Sequence, residues 1–237
     1  MSTFLLKIIA IVSMAIDHSG KILFHNNIYM QIIGRISFPI FAWLIAHGYR
    51  HTRNSNKYFW RLVAFAFISQ IPYELAFREL IVTQGWPLGL NVFFTLAAGL
   101  LAIIAFERFQ NPLLKLSSVA LIGITAEIFR FDYGLFGVLL IFAFHISYTW
   151  HRALQSALII SLTVFLYTPL FNLVVLHSST SNLYWYSFFG TQIASIAALP
   201  ILWLHSGEQG YRAKWLFYLF YPIHFLVLYA CVYFLSF

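Results

Sequence analysis

From Phe4 onward the chain reads as long apolar runs separated by short polar or Pro/Gly-containing punctuation, each close to the ~20 residues an α-helix needs to cross a bilayer. The runs predict spans over Phe4–Phe24, Ile28–Tyr49, Lys57–Phe77, Leu88–Phe106, Leu113–Phe129, Asp132–Tyr148, Arg152–Leu176, Leu183–Leu204 and Lys214–Phe237. Backbone polar groups in lipid are satisfied only within a helix or a closed barrel, and no ten-residue alternation marks barrel strands. The first run has a small-x-small sequence, Ser13-Met14-Ala15, of the kind a signal peptidase cuts. Its one early cation, Lys7, sits inside the apolar stretch rather than ahead of it, so the run reads as a first span.

Composition agrees with the pattern. Of 237 residues 61% are apolar and 9% charged, too few polar groups to coat a water-soluble globule. The expected class is all-α: one integral membrane domain over residues 1–237, a polytopic bundle of about nine transmembrane helices. Lys and Arg collect in the even-numbered connections, with Arg50, Arg53, Lys57 and Arg61 in the second, Arg108 and Lys115, Arg152, then Arg212 and Lys214. The positive-inside rule makes these connections cytoplasmic, with the N-terminus inside and the C-terminus outside. That bias accounts for the formal net charge of +7 without a nucleic-acid partner. Cys231, the only cysteine, excludes an internal disulfide and a thiolate metal site.

A charge in hydrocarbon costs at least ~2.5–3.5 kcal/mol, so the "SMAIDHSGKILF" stretch demands a partner or a task for Asp17 and His18. Ser13, Asp17 and Lys21 share a face at i, i+4 spacing. His18 reads as a general base, with Asp17 fixing its tautomer or pairing with Arg35; otherwise Asp17 only pairs with Arg35 or Lys21 and His18 sits at the headgroup boundary. Arg35 cannot be deprotonated in place and needs a carboxylate or an anionic ligand. Pro39, in the same run, predicts a kink and a freed carbonyl nearby. Gln70 and Glu74 follow on one helix, and Asn91, Thr95 and Gly99 form a stripe on the next that suits either a site or helix packing. His224, a turn after Tyr221, is a second acid/base or a buried His bonded to a neighbour. The expected topology gathers Asp17, His18, Arg35, Glu74, Asn91 and Thr95, with Glu127, Arg130 and Asp132, toward the outer side, and leaves His224 mid-span. His47 and His51 have i, i+4 spacing but no acidic companion, so no metal site is expected. Phosphate-loop, dinucleotide-fold, zinc-protease and serine-hydrolase motifs are absent from the sequence.

The ordered series "MAIDHSG", "GRISFPIFAWLIAHGYRHTRN", "KYFWRLVAFAFISQIPYEL", "LNVFFTL", "FDYGLFGVLLI" and "KWLFYLFYPIH" resembles the TraX family of bacterial membrane proteins over nearly the whole chain. The resemblance implies a multi-pass protein of the bacterial cytoplasmic membrane, related to polytopic acyltransferases that move acetyl groups from acetyl-CoA across the bilayer. It makes Asp17, His18, Arg35, Asn91, Asp132, Tyr133, Tyr221 and His224 motif positions without saying which is catalytic. The implied donor is acetyl-CoA, its phosphates on Arg50, Arg53, Lys57 and Arg61. The implied acceptor is an amine or hydroxyl of an envelope glycan, lipid or pilin. His18 or His224 would take the acceptor's proton, directly or after carrying the acetyl group itself. Arg35 or Asn91 would stabilise the oxyanion, and Glu74, Asn91, Thr95, Asp132, Tyr133 and Tyr221 would surround the substrate. A proton-coupled transporter or flippase is the rival class built on the same charges.

Overall fold

The computed structural model describes residues 1–84, 89–147, 149, 151, 152, 155 and 193–235. The helices are α1 (Thr3–Ile22), α2 (Ile28–Gly34), α3 (Ser37–His51), α4 (Ser55–Gln84), α5 (Val92–Arg108), α6 (Pro112–Ile128), α7 (Gly134–Ile146), a 3₁₀ turn Ile193–Ala197 leading into α8 (Ala198–Trp203), and α9 (Lys214–Leu235). Starts are set by side chains that take up exposed backbone N–H groups. Ser2 caps α1, Asn27 caps α2, and Asn111 caps α6 with Pro112 directly after it.

The expected second span is two helices, α2 and α3, separated at Arg35 and Ile36. Pro39 explains the break: its ring clashes with the carbonyl four residues back, which is that of Arg35, while its missing N–H costs nothing in the first turn of α3. Three described stretches are long and apolar enough to cross a membrane, Thr3–Ile22, Ile28–His51 and Lys214–Phe234. The chain is a helical membrane protein on that footing. The expected span Arg152–Leu176, apart from residues 152 and 155, and the first part of Leu183–Leu204 lie outside the described residues. The expected Lys57–Phe77 span is the 30-residue α4, which runs straight through Pro72.

Helices run in both directions: α1, α4 and α9 point one way and α3 and α7 the other. At one end the start of α1 meets the start of α9 through Phe4 and Phe217, and the end of α3 meets the end of α7 through Tyr49 and His145. At the other end the last turns of α1 meet α9 through His18 and Phe225, and the start of α3 meets the start of α7 through Phe38 and Phe136. α4 packs along α9 through Phe65 against Tyr218 and Phe77 against Phe225. Leu6, Ala10, Ile40, Leu100, Ile103 and Phe225 are fully buried in one apolar core between these helices. Gly99 of the predicted stripe lies against Ile141 of α7, where a Cβ would overlap that side chain, so α5 and α7 approach closely. Outward faces remain apolar, with Leu113, Leu116, Leu121 and Ile128 of α6 and Ile223 and Val227 of α9 exposed, as lipid contact requires.

Candidate functional site

The last turns of α1 carry Asp17, His18 and Lys21 into the bundle, where all three are buried. Helical i, i+4 spacing places Lys21 Nζ 2.5 Å from Asp17 Oδ2. The α2–α3 break points Arg35, 1% exposed, at the same carboxylate, with Nη2 3.8 Å from Asp17 Oδ1. Gly34 makes that convergence possible, because any Cβ there would occupy the space of the Asp17 side chain. One carboxylate thus serves two cations, an arrangement that burial makes costly unless each charge is compensated.

The second wall comes from the turn between α6 and α7. Leu90 N–H donates to the Arg130 carbonyl at 2.9 Å and Asp132 N–H donates to the Leu90 carbonyl at 2.8 Å, so two loops hold each other. Thr95 Oγ1 donates to the Asp132 carbonyl, and Glu127 Oε2 accepts from Leu135 N–H at 2.9 Å across the start of α7. Within this turn Arg130, Tyr133 and Gly134 adopt positive φ, Tyr133 at 64°. Such a backbone in a bulky residue costs of order 1–3 kcal/mol and is kept where surrounding structure enforces it. Here the enforcement is visible: the Tyr133 ring stacks on Phe38 at 3.8 Å and 8°, its hydroxyl is in hydrogen-bond reach of Arg35, and Asp132 falls within electrostatic reach of Lys21 and Arg35.

These walls border a partly open cavity lined by Met14, Asp17, His18, Lys21, Arg35, Ser37, Phe38, Phe41, Val92, Asp132 and Tyr133. The space open to water centres is ≈ 30 Å³. One water needs about 10–15 Å³, so the site has room for about two. His18 joins this cavity to α9. Its Nδ1 is 2.8 Å from Nε2 of His224, the two rings lie side by side within 16° of one plane with centroids 5.1 Å apart, and His224 Nδ1 is 3.1 Å from the Phe220 carbonyl. The other ring nitrogen of His18, Nε2, is 3.9 Å from Asp17 Oδ2. Tyr221 packs edge-on against His18 and Phe93 at the side of the pair.

The structure therefore brings Asp17, His18, Arg35, Asp132, Tyr133, Tyr221 and His224 together. Three residues expected around the substrate take other positions. Glu74 is exposed and accepts from Gln70 Nε2 at 3.0 Å. Asn91 precedes α5 as its cap rather than sitting within a helix. Its Oδ1 accepts from Phe93 N–H, and its Nδ2 donates to the Ala66 carbonyl at 2.7 Å and to Gln70 Oε1 at 2.8 Å, tying α5 to α4. Thr95 braces the Asp132 turn from behind. Asp132 and Tyr133 themselves lie in the turn before α7, not within the predicted span.

Lys21 is the residue the expected site omitted. Its i, i+4 relation to Asp17 was the available signal; Met14, Ser37 and Phe41 carried none.

The expected donor-binding cations lie at the opposite end. Arg50 Nη2 donates to the Phe144 and His145 carbonyls at 2.9 and 2.6 Å, taking up the last carbonyls of α7. Arg61 Nε donates to the Tyr218 hydroxyl at 3.1 Å, with the guanidinium over the Tyr58 and Tyr218 rings. Arg53 and Lys57 are exposed, their side chains without a protein partner among the described residues. At the same end His205 Nε2 is 3.0 Å from Thr3 Oγ1, and burial together with the nearby N-terminal ammonium holds its imidazole below the ordinary range.

The family described as TraX protein matches residues 2–232. A protein of Dichelobacter nodosus described as "Probable fimbrial assembly protein FimC, serogroup H1" is 28% identical over 253 residues, covering 99% of this chain and 97% of its own. "Uncharacterized protein RP591" of Rickettsia prowazekii (strain Madrid E) is 30% identical over 80 residues, 34% of this chain and 30% of its own. No solved structure matches. The family match takes in every helix described above except the last three residues of α9, together with both walls of the cavity, and the chain belongs to the TraX family.

Proposed function

We propose that the protein is a membrane-embedded acyltransferase of the bacterial cytoplasmic membrane. It moves an acetyl group from cytoplasmic acetyl-CoA to an amine or hydroxyl on the extracytoplasmic side, and its N-terminus faces the cytoplasm. The observation that carries this reading is the convergence of an imidazole and two cations on one small cavity, His18 beside Lys21 and Arg35, in an otherwise apolar bundle. An acceptor X–H gives its proton to His18 as X attacks the thioester carbonyl. The carbonyl becomes an oxyanion stabilised by Arg35 or Lys21, a contribution of ~3–4 kcal/mol for one well-placed donor. The C–S bond then breaks, the thiolate takes the proton from His18, and the products are acetyl-X and the free thiol of coenzyme A. Room for about two waters means that the site widens to admit donor and acceptor. The phosphates dock at the opposite end, on Arg53 and Lys57 with Arg50 and Arg61 behind them. The fimbrial name of the Dichelobacter relative supports a pilin amine as one acceptor, beside the hydroxyls of envelope glycans and lipids.

The test is purified protein in nanodiscs with labelled acetyl-CoA and envelope extract. Thioester consumption with label transfer is expected, and His18→Gln is expected to lower it by ~10²–10⁴ while insertion and thermal midpoint stay unchanged. Wild-type protein that consumes no thioester overturns the proposal. The charge-balanced group of Asp17, Asp132, Lys21 and Arg35 around the cavity then favours a second reading, a proton or substrate pathway through the membrane.

A further inference from the structure

Two histidines meet at the cavity, 206 residues apart in sequence, and their hydrogen bonds order the protons between them. The Phe220 carbonyl can only accept, so His224 Nδ1, 3.1 Å away, carries a hydrogen. A neutral His224 then has a bare Nε2. His18 Nδ1, at 2.8 Å, must be the donor to it. That leaves the lone pair of a neutral His18 on Nε2, the nitrogen on the Asp17 side of the ring, at the cavity.

We infer that His224 is a positioning residue that locks His18 in the Nδ1–H tautomer, so that His18 Nε2 is the single basic nitrogen presented to the cavity. The backbone of α9 supplies the anchor, because Phe220 lies one turn before His224 on the same helix. Aromatic walls keep the pair in register: Phe77 of α4 and Tyr221 of α9 stand edge-on to the His18 ring, and Phe225 covers both rings. The charged neighbours Asp17, Lys21 and Arg35 all line the cavity with His18. His224 is thereby not a second base: its Nδ1 is held by backbone and its Nε2 by His18. In a chain where the proton sits instead on His224 Nε2, His18 presents N–H to the cavity and cannot accept from a substrate. The tautomer follows from geometry alone; its kinetic consequence rests on the acyl-transfer reading.

The experiment is ¹⁵N NMR of histidine-labelled full-length protein in micelles, with His18→Gln and His224→Gln used to assign the two rings. A protonated Nδ1 and an unprotonated Nε2 on His18 are expected in the wild type, and a protonated Nε2 on His18 overturns the inference. His224→Phe, which keeps a ring but offers no acceptor, is expected to release His18 into mixed tautomers and to lower kcat about 10²-fold with the KM for acetyl-CoA unchanged. His224→Glu, whose carboxylate only accepts, is expected to recover most of that kcat. Retention of one His18 tautomer and full kcat in a folded His224→Phe protein also overturns it. If His224→Phe does not fold, the wild-type spectrum decides. A wild-type His18 with protonated Nδ1 in a protein that transfers no acetyl group upholds the tautomer and rejects only the acyl-transfer reading.

Discussion

The two ends of the bundle use the same residue types for different work. At the end where α1 finishes, Asp17, Lys21, Arg35 and Asp132 face one another around a cavity. At the other end Arg50 closes the last turn of α7 and Arg61 joins α4 to α9, while Arg53 and Lys57 remain at the surface. Glu107 there pairs with His145 at 2.7 Å, again linking two helix ends, α5 and α7. A charge at a helix terminus is accounted for by topology and packing. A buried charge aimed at a space where several others converge is not, and that contrast directs attention to the cavity rather than to the larger basic cluster.

Removing the shared carboxylate is expected to have the largest effect on stability. In Asp17→Asn, Lys21 and Arg35 stay buried without the group both approach, and breaking a buried pair in this way costs about 3–5 kcal/mol. The readout is the thermal midpoint of the purified protein in detergent, expected to fall sharply. Adding Lys21→Met to the same chain is expected to restore part of the loss, because one excess cation goes with the missing anion. If Asp17→Asn melts like the wild type, the cavity end is solvated enough to tolerate free charge, and the contrast between the ends disappears.

Much of this arrangement was legible in the sequence, for identifiable reasons. Positions of the first helices follow from apolar length. The Asp17–Lys21 contact follows from helical spacing, and the Asp17–Arg35 approach from the scarcity of counter-ions in the first two spans. The proline signal at Pro39 was correct in kind and displaced in effect, since the break falls on the residue whose carbonyl the ring opposes. Tertiary facts were out of reach. Nothing local tells that His18 touches His224, that Asn91 is used up by Ala66 and Gln70, or that Glu74 faces outward. The positive φ of Tyr133 also lacked a cue, because the sequence offers Gly134 next to it as the natural left-handed residue.

At the opposite end a smaller loss is expected from Arg50→Ala. Its two bonds to the Phe144 and His145 carbonyls are partly exposed, so their removal is expected to cost about 1 kcal/mol, seen as a modest drop in thermal midpoint. Lysine at this position is expected to recover only part, since one ammonium does not reproduce the guanidinium fork. An unchanged midpoint in Arg50→Ala would mean that α7 ends without this cap and that the Arg50 charge is available for other work.

The smallest stability effect and the sharpest functional contrast belong to the two cations with nothing to hold. Arg53→Ala and Lys57→Ala are expected to shift stability by under ~0.5 kcal/mol, because the side chains are exposed and touch no partner among the described residues. If the donor's phosphates dock there, the double variant raises the KM for acetyl-CoA several-fold and leaves kcat alone, since the cations bind ground state and transition state alike. The wild-type KM would climb with ionic strength, and that dependence would flatten in the double variant, because screening acts only on charges that attract the ligand. A KM indifferent to both the substitutions and salt would assign Arg53 and Lys57 to the membrane surface. The docking site for the donor would then have to lie elsewhere, even with the cavity chemistry intact.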